Sequence, residues 1–194
     1  MTSKRILTFF ILTFLSALCM AGAARAAEVY RADSDHTFVS FSYKHLSYSV
    51  QTSRFDHVTG TITLNDENNG GTLEMTIDTK SISTGSTLFN QRIQAEDLFA
   101  TEAFPIATFK SDNIVFSQDA ISRIDGELTI KGITKPVSID VTSFACSRNL
   151  LTLQYTCGAN ATAKLIRSDF NMGKYAPFVG DEVTLNIVIE ASKE

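Results

Sequence analysis

The sequence predicts an all-β protein of about eight strands with one short helical insert, and two observations carry that prediction. Apolar and polar residues alternate in one segment after another, which is typical of strands with one solvent-facing and one core-facing side. Turn-forming residues separate these segments, for example at 65–71, 131–132 and 147–149. One-sided strands must cover their apolar faces, so they form either two packed sheets or one sheet closed into a barrel.

The clearest alternation runs from residue 151 to residue 165, which predicts one long strand. All of its odd-numbered positions are apolar, and none of its even-numbered positions holds a large apolar residue. Shorter segments with the same period lie at 39–45, 58–64, 73–78, 124–130, 137–142 and 183–191. Residues 87–101 break the pattern and predict one or two short helical turns.

The first 26 residues are expected to be a cleaved secretory signal peptide. Lys4 and Arg5 precede an apolar run over residues 6–21, and Ala24-Arg25-Ala26 has the small residues of a cleavage site. The run is shorter than the roughly 20 residues that cross a bilayer, which argues against a permanent anchor. The remaining residues, 27–194, have the length of a single domain.

Charge limits the partners of the mature chain. Cleavage removes three of the 17 Lys and Arg but none of the 21 Asp and Glu, which leaves a net charge of −7. Such an acidic balance, with no cluster of basic residues, argues against DNA, RNA or anionic lipid headgroups as partners. We expect no stable membrane insertion. The sequence leaves the oligomeric state open, with a homodimer among the options.

Two cysteines, Cys146 and Cys157, remain after cleavage. An even pair in a secreted chain predicts a disulfide, and this spacing matches no zinc or redox motif. The bridge would close a short hairpin and stabilise the fold by roughly 3 kcal/mol.

The interior could be either hollow or filled. Small residues occupy core-facing positions at Gly60, Gly126, Cys157, Ala159, Ala161 and Ala163. Empty space in a core costs roughly 24 cal/mol per Å3, so either aromatic side chains or a ligand must occupy the volume that small residues leave. The full chain has 14 Phe, enough to make filling a serious alternative. Alternation alone does not decide between the two.

Catalytic motifs are absent from the sequence. It contains no nucleophile elbow, zinc-protease helix, phosphate-binding glycine loop or dinucleotide fingerprint. Of the three histidines, His36 and His57 have solvent-facing parity, so we expect no metal site and no enzymatic activity. Arg92 and Arg167 could each present a guanidinium to a headgroup at the barrel mouth, or could simply be solvated surface residues.

Five segments resemble motifs of the YceI-like family. They are 36–46 (HTFVSFSYKHL), 104–111 (FPIATFKS), 126–137 (GELTIKGITKPV), 167–173 (RSDFNMG) and 180–185 (GDEVTL). The resemblance extends over the mature chain in order. It implies an antiparallel lipocalin-like barrel, a periplasmic location in Gram-negative bacteria, and a polyisoprenoid lipid bound in a long apolar tunnel.

The helical insert departs from the family pattern. Many members carry Arg-Asp-x-His-Leu there, whereas residues 89–93 of this chain read FNQRI. Arg92 supplies a basic group where the family has His, but the other charged groups are missing. We therefore expect a neutral isoprenoid quinone to suit this chain better than a prenyl diphosphate.

Strand parity selects the residues that should contact such a ligand, and no other cofactor is required. The predicted wall is Phe41, Tyr43, Leu153, Tyr155, Ala159, Ala161, Leu185 and Ile187. The predicted rim is His45, Phe170 and Met172, with Arg167 as a headgroup contact. Two alternatives stay open: a secreted interaction protein with a filled core, and a periplasmic enzyme that acts on an isoprenoid, for which His45 is the one histidine of suitable parity.

Overall fold

The computed structural model describes residues 27–65 and 70–194. The expected signal peptide and residues 66–69 of a predicted turn lie outside this range. The strands are β1 (Glu28–Ala32), β2 (Phe38–His45), β3 (Ser49–Phe55), β4 (Val58–Leu64), β5 (Gly71–Asp78), β6 (Ile82–Ser83), β7 (Ile106–Ser117), β8 (Ala120–Ile130), β9 (Ile133–Arg148), β10 (Tyr155–Ile166) and β11 (Val179–Lys193). The α-helix is α1 (Thr87–Ile93), and 3-10 turns cover Thr79–Ser81 and Arg167–Phe170.

All strands belong to one antiparallel sheet that closes on itself. The order is β1-β4-β5-β7-β8-β9-β10-β11, and β11 then pairs with β1, where Ala191 faces Ala32. Further along β11, residues 183–188 pair with β2, so β1 and β2 follow one another on the same side of that strand. β4 and β3 lie beside them in the same way. The predicted antiparallel barrel of about eight strands is therefore confirmed, with eleven segments making an eight-stranded ring.

Within paired strands, the alternation correctly predicts which side chains are buried. β5 buries Gly71, Leu73, Met75 and Ile77 and leaves the intervening residues partly or fully exposed. β10 follows the predicted parity, since Cys157, Ala161 and Ala163 are all buried. One end of the barrel is filled by packed side chains, which are Tyr30, Ile62, Ile114, Ile121, Cys157 and Ala191.

The strand predicted at 151–165 begins only at Tyr155, so the prediction was wrong for residues 151–154. The Asn149 side chain accepts hydrogen bonds from the backbone amides of Leu151 (2.9 Å) and Thr152 (3.2 Å). Leu153 has a φ of +63°, a left-handed conformation that a strand does not contain. These four residues form the β9–β10 turn, because a side-chain acceptor at the end of β9 competes for the amides that a ladder would use.

The predicted helical insert is confirmed as α1 and the turns that follow it. The Ser86 side chain caps the helix by accepting from the Phe89 amide at 3.4 Å. The insert lies between β6 and β7 and sends Ile93, Leu98 and Phe99 towards the barrel interior. The Phe99 ring contacts the Phe55 ring edge-on at 5.4 Å, which anchors the insert to β3.

Gly60 and Gly126 do not enlarge the interior, contrary to the argument from their small size. A Cβ on Gly60 would lie 2.3 Å from the Met75 sulfur, and one on Gly126 would lie 2.6 Å from the Phe109 ring. Neighbouring side chains on β5 and β7 thus fill the space that the two glycines leave. Each glycine permits close packing across the sheet and contributes no cavity.

Replacing Gly126 by alanine should destabilise the protein. The added methyl group would meet the Lys110 carbonyl oxygen at 2.3 Å and the Phe109 ring, so β7 and β8 must move apart. Overpacking of this kind costs about 1–3 kcal/mol, which urea unfolding would measure. Gly158→Ala is the matched control, because its nearest neighbour would be 3.8 Å away. Equal stability of the two variants would contradict the assignment.

Cys146 and Cys157 face each other across β9 and β10 and form the predicted disulfide. We expect the double variant Cys146→Ser/Cys157→Ser to lose about 3 kcal/mol of unfolding free energy, since the bridge restricts the unfolded chain. Urea titrations of both proteins, with and without reductant, would measure this loss. Reductant should destabilise the parent protein and leave the double variant unchanged; a parent insensitive to a reductant that has opened the bridge would argue against the prediction.

Candidate ligand cavity

The barrel encloses a cavity of about 320 Å3, which is within the range of small-molecule sites. Its lining follows β2 from Val39 to His45 and β10 from Ala159 to Leu165, six residue steps along each strand. At about 3.3 Å per residue, this is roughly 20 Å of strand. The cavity is therefore elongated along the barrel, and the packed end described above closes it.

Aromatic rings line the cavity and leave it open. Phe41 on β2 lies 5.5 Å from Phe55 and 6.0 Å from Phe99 between ring centroids, which makes a cluster along one wall. Aliphatic side chains from β8, β9 and β10 face this cluster from across the ring. In the interior the Thr37 hydroxyl is satisfied, because it donates to the Glu190 carbonyl oxygen at 3.2 Å. The deep part of the cavity thus offers almost entirely apolar contacts.

Polar groups gather at the open end. The charged or titratable side chains that line this mouth are His45, Arg92, Arg167, Lys174 and Tyr175, and no carboxylate lines the cavity in the described part of the chain. They come from β2, α1 and the β10–β11 loop, which the sheet register brings together by placing Val179 opposite His45. The mouth is therefore polar and rich in basic groups, whereas the interior is apolar.

Arg167 is 9% exposed and fastens the mouth loop. It donates from Nε to the Gly180 carbonyl (2.8 Å), from Nη2 to Val179 (2.7 Å), and from Nη1 to Lys174 (2.8 Å) and to Met172. Burial lowers the pKa of Arg167, while the nearby charge of Asp181 acts in the opposite direction. These four bonds leave one of its five N–H groups for a headgroup.

Tyr43 lies just inside the mouth, near Arg167. Burial raises the pKa of its hydroxyl, although a hydrogen bond with Ser53 and the charge of Arg167 partly offset this effect. The hydroxyl is therefore neutral at physiological pH. It is a polar group within the apolar wall that can donate to or accept from a bound molecule.

A second network joins α1 to the mouth loop. Arg92 donates from Nη1 and Nη2 to the two carboxylate oxygens of Asp97 (2.6 and 2.9 Å), and from Nη2 to the Tyr175 hydroxyl (2.7 Å). Lys174 also pairs with Asp97. The hydrogen bond from Arg92 lowers the pKa of Asp97, and Arg92 also lowers that of Tyr175. Sequence reasoning identified Arg92 but missed the other three members of this network, Asp97, Lys174 and Tyr175, since they lie in loops where no period exists.

Most residues predicted to contact a ligand line this one cavity. They are Phe41, Tyr43, His45, Ala159, Ala161, Arg167, Phe170, Met172, Leu185 and Ile187. Leu153 and Tyr155 lie instead at the opposite end of the barrel, where they are 65% and 44% exposed, because the strand does not extend back to them. Parity also missed the part of the wall that α1 and its following turns supply, at Phe89, Leu98 and Phe99. Contact with a ligand remains a prediction for every residue named.

The histidines do not converge in the structure. His36 pairs with Asp33 at 2.8 Å, and this bond raises the pKa of His36, whereas His45 lies at the mouth. Over residues 27–65 and 70–194, His, Cys, Asp and Glu side chains form no group of three that could hold a metal ion. In the same residues, no helix is long and apolar enough to span a bilayer.

Proteins of known sequence or structure are similar to this chain in both sequence and fold. The YceI-like domain family matches residues 30–191. Protein YceI of Escherichia coli O6:H1 is 31% identical over 186 residues, which cover 94% of this chain and 96% of that protein. BcnA of Burkholderia cenocepacia superposes with a TM-score of 0.70 at 25% identity, covering 82% of this chain and 98% of BcnA.

A polyisoprenoid binding domain from Saccharophagus degradans has the same fold, with a TM-score of 0.62 at 16% identity, and the match covers 85% of this chain and 98% of that domain. The family match extends from β1 into β11, the strand that closes the barrel. Together with the extended identity to the Escherichia coli protein, this match shows that the chain belongs to the YceI-like family.

Proposed function

We propose that this chain is a periplasmic binding protein that holds a polyisoprenoid-type lipid in the barrel interior, for transport, storage or sequestration. The observation that carries the proposal is the elongated, largely apolar cavity, closed at one end and with its charged side chains at the mouth. A structural neighbour described as a polyisoprenoid binding domain supports it. The signal peptide expected from the sequence and the disulfide Cys146–Cys157 support the periplasmic location.

The interior suits a prenyl chain on physical grounds. Such a chain offers no hydrogen bonds, so its affinity must come from apolar area removed from water, at roughly 25 cal/mol per Å2. Walls of Phe, Ile, Leu, Val and Ala supply that contact, and within residues 27–65 and 70–194 every buried side-chain N or O atom has a hydrogen-bond partner. The small side chains of Ala159 and Ala161 leave the room that a larger residue on β10 would occupy.

Binding without chemical conversion fits the placement of the titratable groups. Arg92 and Lys174 each pair with Asp97 at the mouth, and Arg167 donates to backbone carbonyls. His45 is exposed at the rim and is the histidine that lines the cavity. A general acid or base would have to reach reacting atoms from within the site. We infer that the residues around the ligand hold it in place and carry out no reaction.

Filling the cavity from β10 should abolish ligand binding. Ala161 lines the cavity between Ile187 on β11 and Val141 on β9, so the larger side chain of Ala161→Leu would project into the space proposed for the prenyl chain. Native mass spectrometry of the protein purified from the periplasm should detect a stoichiometric isoprenoid adduct on the parent protein, and this adduct should be lost in the variant. Solvent extraction would identify the bound molecule.

Ala145→Leu is the matched control, because Ala145 is exposed on the neighbouring strand β9. It should retain the adduct, and both variants should unfold at a urea concentration close to that of the parent. A cavity accepts the extra methyl groups, whereas a filled core would lose about 1–3 kcal/mol through overpacking. A parent protein with no adduct and no uptake of added quinone or prenyl lipid would refute the proposed function.

The mouth favours a neutral quinone over a prenyl diphosphate. Arg92 and Lys174 both pair with Asp97, and four of the five Arg167 N–H groups bind backbone carbonyls, so a diphosphate would compete with partners that these cations already have. Moving its charges into a partly apolar mouth without direct bonds to these cations is costly. A quinone carbonyl needs only one donor, which the Tyr43 hydroxyl or the remaining Arg167 N–H can supply.

Isothermal titration should therefore give a lower Kd for a short-chain isoprenoid quinone than for the prenyl diphosphate of the same chain length. We expect a ratio of at least about tenfold, which corresponds to roughly 1.4 kcal/mol. Matching the chain lengths is the control, since it holds the apolar contribution of the prenyl chain constant. Tighter binding of the diphosphate would show that the mouth recognises an anion.

A further inference from the structure

The mouth of the cavity is surrounded by exposed apolar side chains. They come from the β2–β3 hairpin, from α1 and from the β10–β11 loop, and each is between 42% and 85% exposed. We call them the rim patch; its members are Leu46, Tyr48, Leu88, Tyr175 and Phe178. None of them except Tyr175 lines the cavity. Their exposure therefore needs an explanation that ligand binding inside the barrel does not give.

Direct contacts hold the parts of the rim patch together. The Leu46 amide donates to the Phe178 carbonyl at 2.7 Å, which joins the hairpin to the loop. Arg92 joins the loop to the helix by its 2.7 Å bond to the Tyr175 hydroxyl. Leu88 precedes Arg92 by one helical turn and so shares its face of α1. The five residues thus follow the border of one opening.

The charged side chains on the three segments that carry the rim patch, counted with the turn after α1, have only a small excess of cations. Lys44, Arg92, Arg167 and Lys174 lie there together with Glu96, Asp97 and Asp169, and Asp97 pairs with Arg92 and Lys174. Lys44 is exposed at the end of β2, next to His45. The rim therefore differs from the mature chain as a whole, whose net charge is −7. The net charge of the mature chain argues against binding to anionic lipid headgroups, but it does not describe the charges at this end of the molecule.

Surfaces that bind at a membrane interface combine aromatic and aliphatic side chains with Lys and Arg. Tyr side chains lie at headgroup level with the ring towards the acyl chains, and long basic side chains reach the phosphates. These phosphates stay solvated, so they can be attracted without the desolvation that a diphosphate inside the mouth would require. An apolar ring around an apolar cavity also gives a lipid a path that avoids water.

We propose that the rim patch docks on the surface of a phospholipid bilayer, so that the ligand passes directly between the membrane and the cavity. This inference rests on the proposed function for its purpose, but the docking can be measured separately. Five side chains on three short segments give a peripheral contact. The acidic remainder of the barrel faces away from the headgroups and keeps the contact reversible.

Vesicle flotation with the protein expressed as the full chain and purified from the host would test the docking. The probe is vesicles of phosphatidylethanolamine with phosphatidylglycerol. The parent protein should float with them, and Tyr48→Ser/Phe178→Ser should bind at least about tenfold more weakly, because two large apolar side chains no longer reach the interface. Neither residue lines the cavity, so binding of a short-chain quinone without vesicles should be unchanged.

The matched control is Leu150→Ser/Leu151→Ser, which removes two exposed apolar residues from the β9–β10 turn at the opposite end of the barrel. It should float like the parent. Loss of flotation in this control, or no flotation of the parent with any vesicle, would overturn the docking proposal; the second result would assign the rim patch to a protein partner. Flotation without uptake of any isoprenoid would instead refute the proposed function and leave the docking intact.

Discussion

The pairing of β11 with strands on both of its sides is the constraint on which the rest of the structure depends. It pairs with β10 over eleven positions on one side, and with β1 and β2 on the other. This double pairing turns the sheet into a ring, which leaves the short strand β6 as its end strand and encloses the inward-facing side chains. Only in a closed ring do small residues such as Ala159 and Ala161 leave a space that the opposite strands cannot collapse into.

The family resemblance implied that the strands close into a ring, and period-two alternation predicted which side of a strand each residue faces. It placed Phe41 and Tyr43 on β2, and Leu185 and Ile187 on β11, on the cavity wall. It misplaced Leu153 because alternation continues whether or not a partner strand is present. The Asn149 side chain binds two amides of the turn, and no pattern of apolar residues encodes this competition. Residue parity could therefore be read from the sequence, but the end of the strand could not.

The volume of the interior and the structure of the mouth could not be predicted from the sequence, because both depend on contacts between distant residues. Phe109 fills the space above Gly126, so counting small residues overstated the room available there. At the mouth, Arg92 and Tyr175 are 83 positions apart and meet because helix α1 and the β10–β11 loop converge. Arg167 is predicted from the sequence as a headgroup contact, yet four of its five N–H groups bind backbone carbonyls. Such partnerships depend on three-dimensional packing, which neither period nor spacing records.

The two ends of the barrel are held by different kinds of interaction, and this difference bears on how a ligand enters. At the closed end, packed side chains and the bridge between Cys146 and Cys157 fix the strands to one another. At the mouth, the loops are held by hydrogen bonds from Arg167 and by the ion pairs of Asp97. Exposed ion pairs contribute little and exchange with solvent. A bilayer pressed against the rim would therefore meet, between α1 and the mouth loop, ion pairs that exchange readily, whereas the buried Arg167 and the packed far end would keep the cavity formed.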